Sequence, residues 1–292
     1  MAEHSLKSCS AYAGSRVILT TKHSKSRAIA PPFSKRLGAN VMEYVVDTDQ
    51  LGTFSGEVER KDNALKCAKR KCEWSLKNLG IKVEFALASE GSFGPHPFIP
   101  FLPCDHEILY FIDRRQGFHL HLSYLTEKTN YRMETIVSLE ALNTFAESAK
   151  FPSHALILRP NDRKIKNPIF KGLDSQSALE EAFRESQKHS SEGKVWVETD
   201  MRAHLNPSRM EVIRELAGKM ADRLAMHCPK CYTSGWGKIR VGRGLECRWC
   251  RTETEMIKHE IFGCTKCNYE ESIERSDGLK LADPDNCQYC NP

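Results

Sequence analysis

Short apolar runs alternate with polar clusters along the first three quarters of the chain. Val17-Ile18-Leu19 predicts a buried strand that gives way to the polar stretch Thr20 to Lys25. Val41 to Asp47 predicts a second strand, closed by Asp47-Thr48-Asp49, and glycines make Leu51 to Glu57 a loop. Leu65, Ala68, Cys72, Leu76 and Leu79 then recur at helical spacing behind the capping residues Asp62 and Asn63, and Gly80 stops that helix. Phe85 to Ala88 is a further buried strand, followed by a glycine-containing loop, Ser89 to His96. Ile108–Ile112 and His119–Tyr124 flank Gly117 as a hairpin. Leu139–Ala149 reads as a helix, and Ala155–Leu158 and Ile169-Phe170 as strands. Ser177-Ala-Leu-Glu180 has the form of a capping box, opening a helix to about His189. Lys194 to about His204 predicts the last strand. Pro207 to His227 predicts a helix with Ile213, Leu216, Ala217, Met220 and Leu224 facing inward.

Strands that alternate with helices imply an α/β fold, a mixed sheet with flanking helices, over residues 16–227. Residues 1–15 are expected to be disordered. Residues 228–292 change character: cysteines in Cys-x-x-Cys pairs take over, and they predict a separate double zinc-ribbon module.

Composition narrows the function classes. The chain of 292 residues is 40% hydrophobic and 28% charged, which excludes a disordered chain. No window approaches the ~18 uninterrupted apolar residues of a membrane span. The first 15 residues lack the apolar run of a secretory signal, so a cytoplasmic location is expected. Their acid-poor, serine-containing character leaves a transit peptide as the alternative. The net charge of +5 is modest and spread out, and implies no strong pull on nucleic acid or anionic lipid.

Eight of the twelve cysteines form the pairs Cys228/Cys231, Cys247/Cys250, Cys264/Cys267 and Cys287/Cys290. Two residues between thiolates let one turn aim both sulfurs at one ion, and two such turns complete a closed tetrahedral shell. Fifteen residues separate the first two pairs and nineteen the last two, which fits ribbon spacing and pairs the knuckles in sequence. A cross-braced pairing, first with third and second with fourth, is the alternative. Two structural zinc ions follow from either. Taken half by half, the first ribbon is basic and carries Tyr232, Trp236 and Trp249, which could stack on bases. The second has three basic and six acidic residues and would repel phosphate. A structural or partner-docking role is therefore expected for the pair, with a nucleic-acid or protein partner as its target.

Polar clusters follow the ends of the apolar strands, where α/β sheets bind ligands. The sharpest is Glu198 to His204: if extended, it sets Glu198, Asp200, Arg202 and His204 on one face. Asn206 caps the next helix with Pro207 at its first position, and the free amides there, beside Arg209, make an anion site. Lys22, His23 and Lys25 after the first strand could hold phosphate. Asp47, Asp49, Glu57 and Glu90 are oxygen ligands that could share Mg²⁺ or Mn²⁺. The run Glu90 to His96, with Ser92, would let a ligand approach the backbone closely. His119 and His121 are expected to be structural.

Two resemblances rest on longer stretches. Leu51–Arg60, Ala88–Pro97 and Glu198–Met210, followed by the cysteine pairs, resemble a mainly bacterial family of uncharacterised proteins over almost the whole chain after Ser15. Leu19–Lys25, Gly52–Phe54 with Asn63–Lys69, and Ala86–Phe93 are similar in order to the house-cleaning nucleoside triphosphate pyrophosphatases. That second resemblance implies that Lys25 touches phosphate and Glu90 binds metal, although the paired acids usual at its third motif are reduced here to Glu90 alone.

Together these readings predict a metal-dependent hydrolase of a nucleotide or other phosphorylated small molecule. Asp200, Arg202, His204, His23 and Glu90 would be catalytic. Lys22, Lys25, Arg209, Ser92 and His96 would bind substrate, and Asp47, Asp49 and Glu57 would help hold magnesium. A non-enzymatic adaptor working through the zinc ribbons is the alternative.

Overall fold

The computed structural model describes residues 10–53, 57–162 and 167–292. The expectations for residues 1–9, for Phe54-Ser55-Gly56 of the glycine loop and for 163–166 fall outside these residues.

The first sheet has five strands and begins with a parallel core. Strand β1 (Arg16–Thr21) feeds helix α1 (Ser26–Leu37), which returns the chain to β2 (Asn40–Val45), parallel to β1. Helix α2 (Ala64–Leu79) then crosses to the other side, and β3 (Phe85–Pro95) pairs parallel to β1. Strands β4 (Pro103–Asp113) and β5 (Phe118–Thr126) add antiparallel partners, which completes the order β2-β1-β3-β4-β5. The residues predicted as a glycine loop, 89–95, thus continue β3 and pair with β4. Apolar runs alone could not show that pairing, because the polar side chains there are buried by ion pairing.

No element is predicted from the sequence at α1, which contains Pro31 and Pro32, each lacking a backbone donor. The helix persists because Ala28, Ile29, Phe33 and Leu37 are buried against the sheet and a later helix, α5 (Pro207–Ala225). Gly38 closes α1 with φ 64° and returns its N–H to the carbonyls of Phe33 and Ser34. On this face Phe85, Leu87, Leu109 and Phe111 meet α1 and α5, while Ala86, Ala88 and Tyr110 face α2. The period of two along β3 and β4 therefore builds helix layers on both sides of the sheet. Tyr12 joins this core, fully buried and edge-on to Phe85 at 5.3 Å and Phe111 at 5.7 Å. Tyr12 is therefore anchored in the core, within the 1–15 stretch where disorder was expected.

A second sheet follows. Strand β6 (Met133–Ile136), helix α3 (Leu139–Ser148), β7 (Leu156–Pro160), β8 (Phe170–Leu173), helix α4 (Gln176–His189) and β9 (Val195–Thr199) form the antiparallel order β6-β9-β7-β8. Leu156, Leu158, Val195 and Val197 pack on α3 and α4. Alternation turns Ile157, Trp196 and Glu198 to the opposite face, towards the first sheet. Strand β9 stops at Thr199, so the extended row from Glu198 to His204 does not form. A one-turn helix, Ala203–Leu205, bends the chain into α5, whose cap Asn206 accepts from the Arg209 N–H as its sequence predicts.

The last part is a three-stranded antiparallel meander, β10 (Gly237–Arg243), β11 (Ile257–Gly263) and β12 (Glu270–Glu274). It docks at the β4–β5 turn. Ser234 donates its N–H to Gln116 at 3.0 Å, Gln116 donates to Asp113 at 3.1 Å, and the Tyr12 hydroxyl donates to Asp113 at 3.0 Å. Asp113 pairs with Phe85, the first residue of β3, so the cysteine-rich module sits at the amino end of that strand.

Candidate functional site

The carboxyl ends of β1, β2 and β3 bound a cavity. From β1 the chain leaves through α1 to one side and comes back through α2 on the other, so the strand order reverses between β1 and β3. Open α/β sheets bind ligands in the crevice at such a point. The cavity has a volume of about 60 Å³, several times the ~10–15 Å³ one water needs. Thr21, Lys22, His23 and Lys25 line it from the end of β1, and Thr48 and Asp49 from the end of β2. Lys71 enters from α2, Glu90 from β3 and Arg60 from the preceding loop. Ile157, Lys171 and Arg202 close it from the second sheet.

Six cationic side chains, Lys22, Lys25, Arg60, Lys71, Lys171 and Arg202, face this space against two carboxylates, Asp49 and Glu90. Most are anchored. Lys22 bridges Asp47 and Asp49, Lys171 pairs with Glu57, and Lys71 pairs with Glu90, which also sits 3.5 Å from Arg60. Arg60 reaches Ser92 Oγ and the Gly91 carbonyl, each at 2.9 Å. Gly52 lets the Thr53 loop press on Arg60, because a Cβ there would meet the Arg60 Cβ at 2.7 Å. Arg202 is held by the fully buried Asp200, which accepts its Nε–H at 3.0 Å and also the Gly172 N–H at 3.1 Å. Asp200 thus positions a cation and offers little to a substrate.

Lys25 differs from the other five. Its ammonium is buried and its hydrogen bonds go to the Ser89 carbonyl at 3.1 Å and Ser89 Oγ at 3.2 Å, with no carboxylate in ion-pair range among the described residues. Burial, and then Arg209, hold its pKa down to about 7. His23 stacks on His204 with ring centroids 5.0 Å apart. Burial and the neighbouring Lys25 lower His23 to about 3, and burial and Arg202 lower His204, so both rings are neutral near pH 7.

The fold brings Lys22, Lys25, His23, Asp49, Glu90 and Arg202 together as cavity walls, with Asp200, His204, Asp47 and Glu57 one contact behind. Arg209 lies elsewhere: it is fully buried, donating to Glu107 at 2.6 Å with its guanidinium 5.0 Å from the Phe93 ring. Gly91 serves that pair, since a Cβ there would meet Arg209 and Glu107 at 2.5 Å; the close backbone approach is to an ion pair. His96 is at the far turn of the β3–β4 hairpin, and its Nδ1 accepts from the Phe98 N–H. His119 and His121 stack on Tyr110. The magnesium expectation finds no support: among the described residues the only clusters of three or more metal-ligating groups are the two cysteine sets, and Asp47, Asp49, Glu57 and Glu90 each answer a cation instead.

Sequence reasoning missed Arg60, Lys71 and Lys171. Lys71 lies on the buried side of α2 beside Cys72, and a lysine among apolar helix positions was a usable signal. Arg60 and Lys171 carry none, because loop and edge-strand cations are ordinary surface residues. A second cavity of about 310 Å³ was also missed. It lies between the sheets and shares Thr53, Arg60 and Ile157 with the first.

The cysteines form two closed sets, Cys228, Cys231, Cys264 and Cys267 in one and Cys247, Cys250, Cys287 and Cys290 in the other, with the sulfurs of each within 4.8 Å of one another. Closest Sγ–Sγ separations of 3.5 to 3.8 Å approach the about 3.8 Å edge of a tetrahedron with 2.3 Å zinc–sulfur bonds. Each set is compatible with one zinc ion. The sequential pairing is overturned, and the sites are cross-braced. The meander explains why: Gly237 at the start of β10 pairs with Gly263 at the end of β11, so the first and third knuckles share one end of the sheet. The second knuckle, between β10 and β11, and the fourth, after β12, share the other end. Each site draws on both halves, so a charge account taken half by half no longer applies. Trp236 is buried and stacked on Tyr269 at 5.6 Å, unavailable to a base, whereas Tyr232 and Trp249 are exposed.

The fold and the cysteine sites define a mixed α/β protein with two four-cysteine sites compatible with zinc. The chain belongs to a family described as a domain of unknown function, DUF6671, whose model matches residues 71–292. No curated protein and no solved structure matches it, and no hydrolase resemblance is found. The match begins at Lys71, so Glu90, Ile157, Lys171 and Arg202 of the cavity fall within it and Lys22, His23, Lys25 and Arg60 precede it. Among the described residues no helix is long and apolar enough to cross a membrane.

Proposed function

We propose that the cavity at the β1–β3 switch point holds the phosphoryl group of a phosphorylated small molecule or nucleotide and hydrolyses it. The observation that carries this reading is the buried Lys25, which has no carboxylate in ion-pair range among the described residues and faces a cavity where six cations outnumber two carboxylates at the carboxyl ends of parallel strands. An anion is the partner such a site lacks, and a bound dianion would offset the burial that lowers Lys25. In hydrolysis, water attacks phosphorus as the ester P–O bond breaks. Lys22, Lys25 and Arg202 neutralise the phosphoryl oxygens. The neutral His23–His204 pair takes the water proton and returns it to the leaving oxygen. Mg²⁺ or Mn²⁺ would have to displace Lys22 from Asp47 and Asp49, so release is expected without added metal.

The test is titration calorimetry and phosphate release on the zinc-loaded protein with nucleotides and sugar phosphates, with and without Mg²⁺. Binding weakened roughly tenfold in Lys25→Met supports the site, and binding without release overturns the hydrolytic step. Absence of any binding sinks the reading.

The adaptor reading has its own support. Trp249 and Tyr289, 75% and 67% exposed, each sit between two cysteines of one cluster, on a module that lines neither cavity. A Trp249→Ala variant that loses an RNA or protein partner while phosphate binding persists would favour it.

A further inference from the structure

The 310 Å³ cleft between the two sheets adjoins the cationic cavity through Thr53, Arg60 and Ile157. Its size reaches the lower range of small-molecule sites, ~300–1,000 Å³, and its position between two packed layers is where such sites occur. Its walls suit a flat ring. The Phe93 and Tyr131 rings pack on each other, 5.7 Å apart at 33°, to form one aromatic wall, and Ile157, Met133 and Met201 add apolar surface. Phe93 is backed on its own side by the buried Arg209. Hydroxyls that could receive a sugar are already engaged: Ser92 accepts from Arg60, and Thr199 contacts Arg132 and Met201.

The Glu198 carboxylate on this wall has capacity to spare. Glu198 accepts from Trp196 Nε1 at 3.0 Å and lies 3.3 to 3.4 Å from the Arg159 guanidinium. A carboxylate offers about four lone-pair positions, so acceptor sites remain for a ligand. Glu198 and Tyr131 line the same cleft, and burial and then that charge push the Tyr131 phenol up.

We propose that this cleft is the base subsite of the same ligand, which is therefore a nucleotide: its ring lies against Tyr131 and Phe93, and its N–H edge donates to Glu198. The proposal rests on the phosphoryl reading above. Guanine, with two adjacent donors on one edge, matches a carboxylate better than adenine does.

Calorimetry with inorganic phosphate, ribose 5-phosphate, AMP and GMP on the full zinc-loaded chain tests it. Stacking alone should make GMP bind roughly tenfold or more tightly than ribose 5-phosphate. Tyr131→Ala should erase that gain while ribose 5-phosphate still binds, and Tyr131→Phe should keep it, which separates stacking from misfolding. Glu198→Gln should remove the preference for GMP over AMP. If ribose 5-phosphate binds as tightly as GMP, or Tyr131→Ala leaves GMP affinity unchanged, the base subsite is wrong while the phosphoryl site stands. If AMP equals GMP in the parent protein, the role of Glu198 is wrong. If none of the four compounds binds, the phosphoryl reading fails first and takes this one with it.

Discussion

The cysteine-rich module and the α/β body solve the problem of staying folded by different means. In residues 228–292 the buried apolar side chains other than cysteine are Trp236, Leu245, Ile261, Ala282 and Pro284. So small a core cannot offset the entropy of ordering the segment, and ligation of a metal by the two cysteine sets would supply the difference. The body has layered cores on both faces of its first sheet and a third under α3 and α4. With that surplus it can carry polar groups in costly places: Lys25, Lys71, Glu90, Asp105, Glu107, Asp200 and Arg209 are all buried. Charge is arranged for stability in the module and concentrated at a cavity in the body. The two meet at Asp113, Gln116 and Ser234, at the opposite end of β3 from the cavity.

Metal removal should separate them most sharply. Structural zinc contributes ~10–16 kcal/mol of apparent binding energy in small zinc modules. A strong chelator should therefore abolish amide-exchange protection in β10–β12 and leave β1, β3 and β4 protected; loss of both together would show that the body depends on the module. Paired substitutions test the bracing. Cys231→Ser with Cys264→Ser removes two ligands from one site and should leave one zinc per chain by metal analysis. Cys231→Ser with Cys247→Ser should lose both ions. Sequential pairing gives the reverse result.

The next largest effect belongs to the Glu107–Arg209 pair. Removing one partner of a buried ion pair costs ~3–5 kcal/mol, so Glu107→Gln should lower the denaturant midpoint of the body steeply while both zinc ions stay bound. An effect confined to the surface range would show that water reaches the pair.

Lys25 ties stability to ligand affinity. The unfolded lysine holds its proton to near pH 10.5, while the folded one releases it near 7. The unfolded state therefore binds more protons between those values, and stability rises with pH across that window. Lys25→Met should stabilise the protein more at pH 6 than at pH 9 and should weaken phosphate binding by roughly tenfold, about the value of one charge-assisted hydrogen bond. In the parent chain, phosphate affinity should fall as the pH rises through about 7. A flat profile would show that Lys25 keeps its charge throughout.

Gly172 gives a smaller effect. It has φ +68°, and a Cβ there would lie 3.2 Å from Arg202 Nη2. Gly172→Ala should cost about 1 kcal/mol in the melt and a few-fold in phosphate affinity, as Arg202 shifts against Asp200. Trp249→Ala, on the exposed knuckle, should change stability by less than about 0.5 kcal/mol.

Local signals carried much of this fold. The apolar periods of α2 and α5, the caps at Asn63 and Asn206, the turn at Gly117 and the Cys-x-x-Cys spacing were each legible, because a few neighbouring residues decide them. The polar ends of β1 and β2 pointed to the cavity, since strand ends are where α/β sheets place ligands. Helix α1 was hidden by its two prolines, and only burial of Ile29 and Phe33 overrides them. The continuation of β3 was hidden because Glu90 and Gly91 read as loop until Lys71, Arg60 and the Glu107–Arg209 pair are seen around them.

What the sequence determined by itself, then, is composition-limited and local: an α/β body, eight cysteines able to bind two zinc ions, and cations next to the first strand. What only the tertiary structure decided is which of these groups meet. It exchanged the sequential cysteine pairing for a cross-brace, because an antiparallel meander brings alternate turns to the same end. It withdrew Arg209 into the core and divided the carboxylates among lysines, since a buried charge takes the nearest opposite partner. It also brought Lys171 and Arg202 to the cavity of Lys25, because the second sheet packs its open face over the carboxyl ends of the first, and Arg60, because the loop before α2 folds back against Gly52.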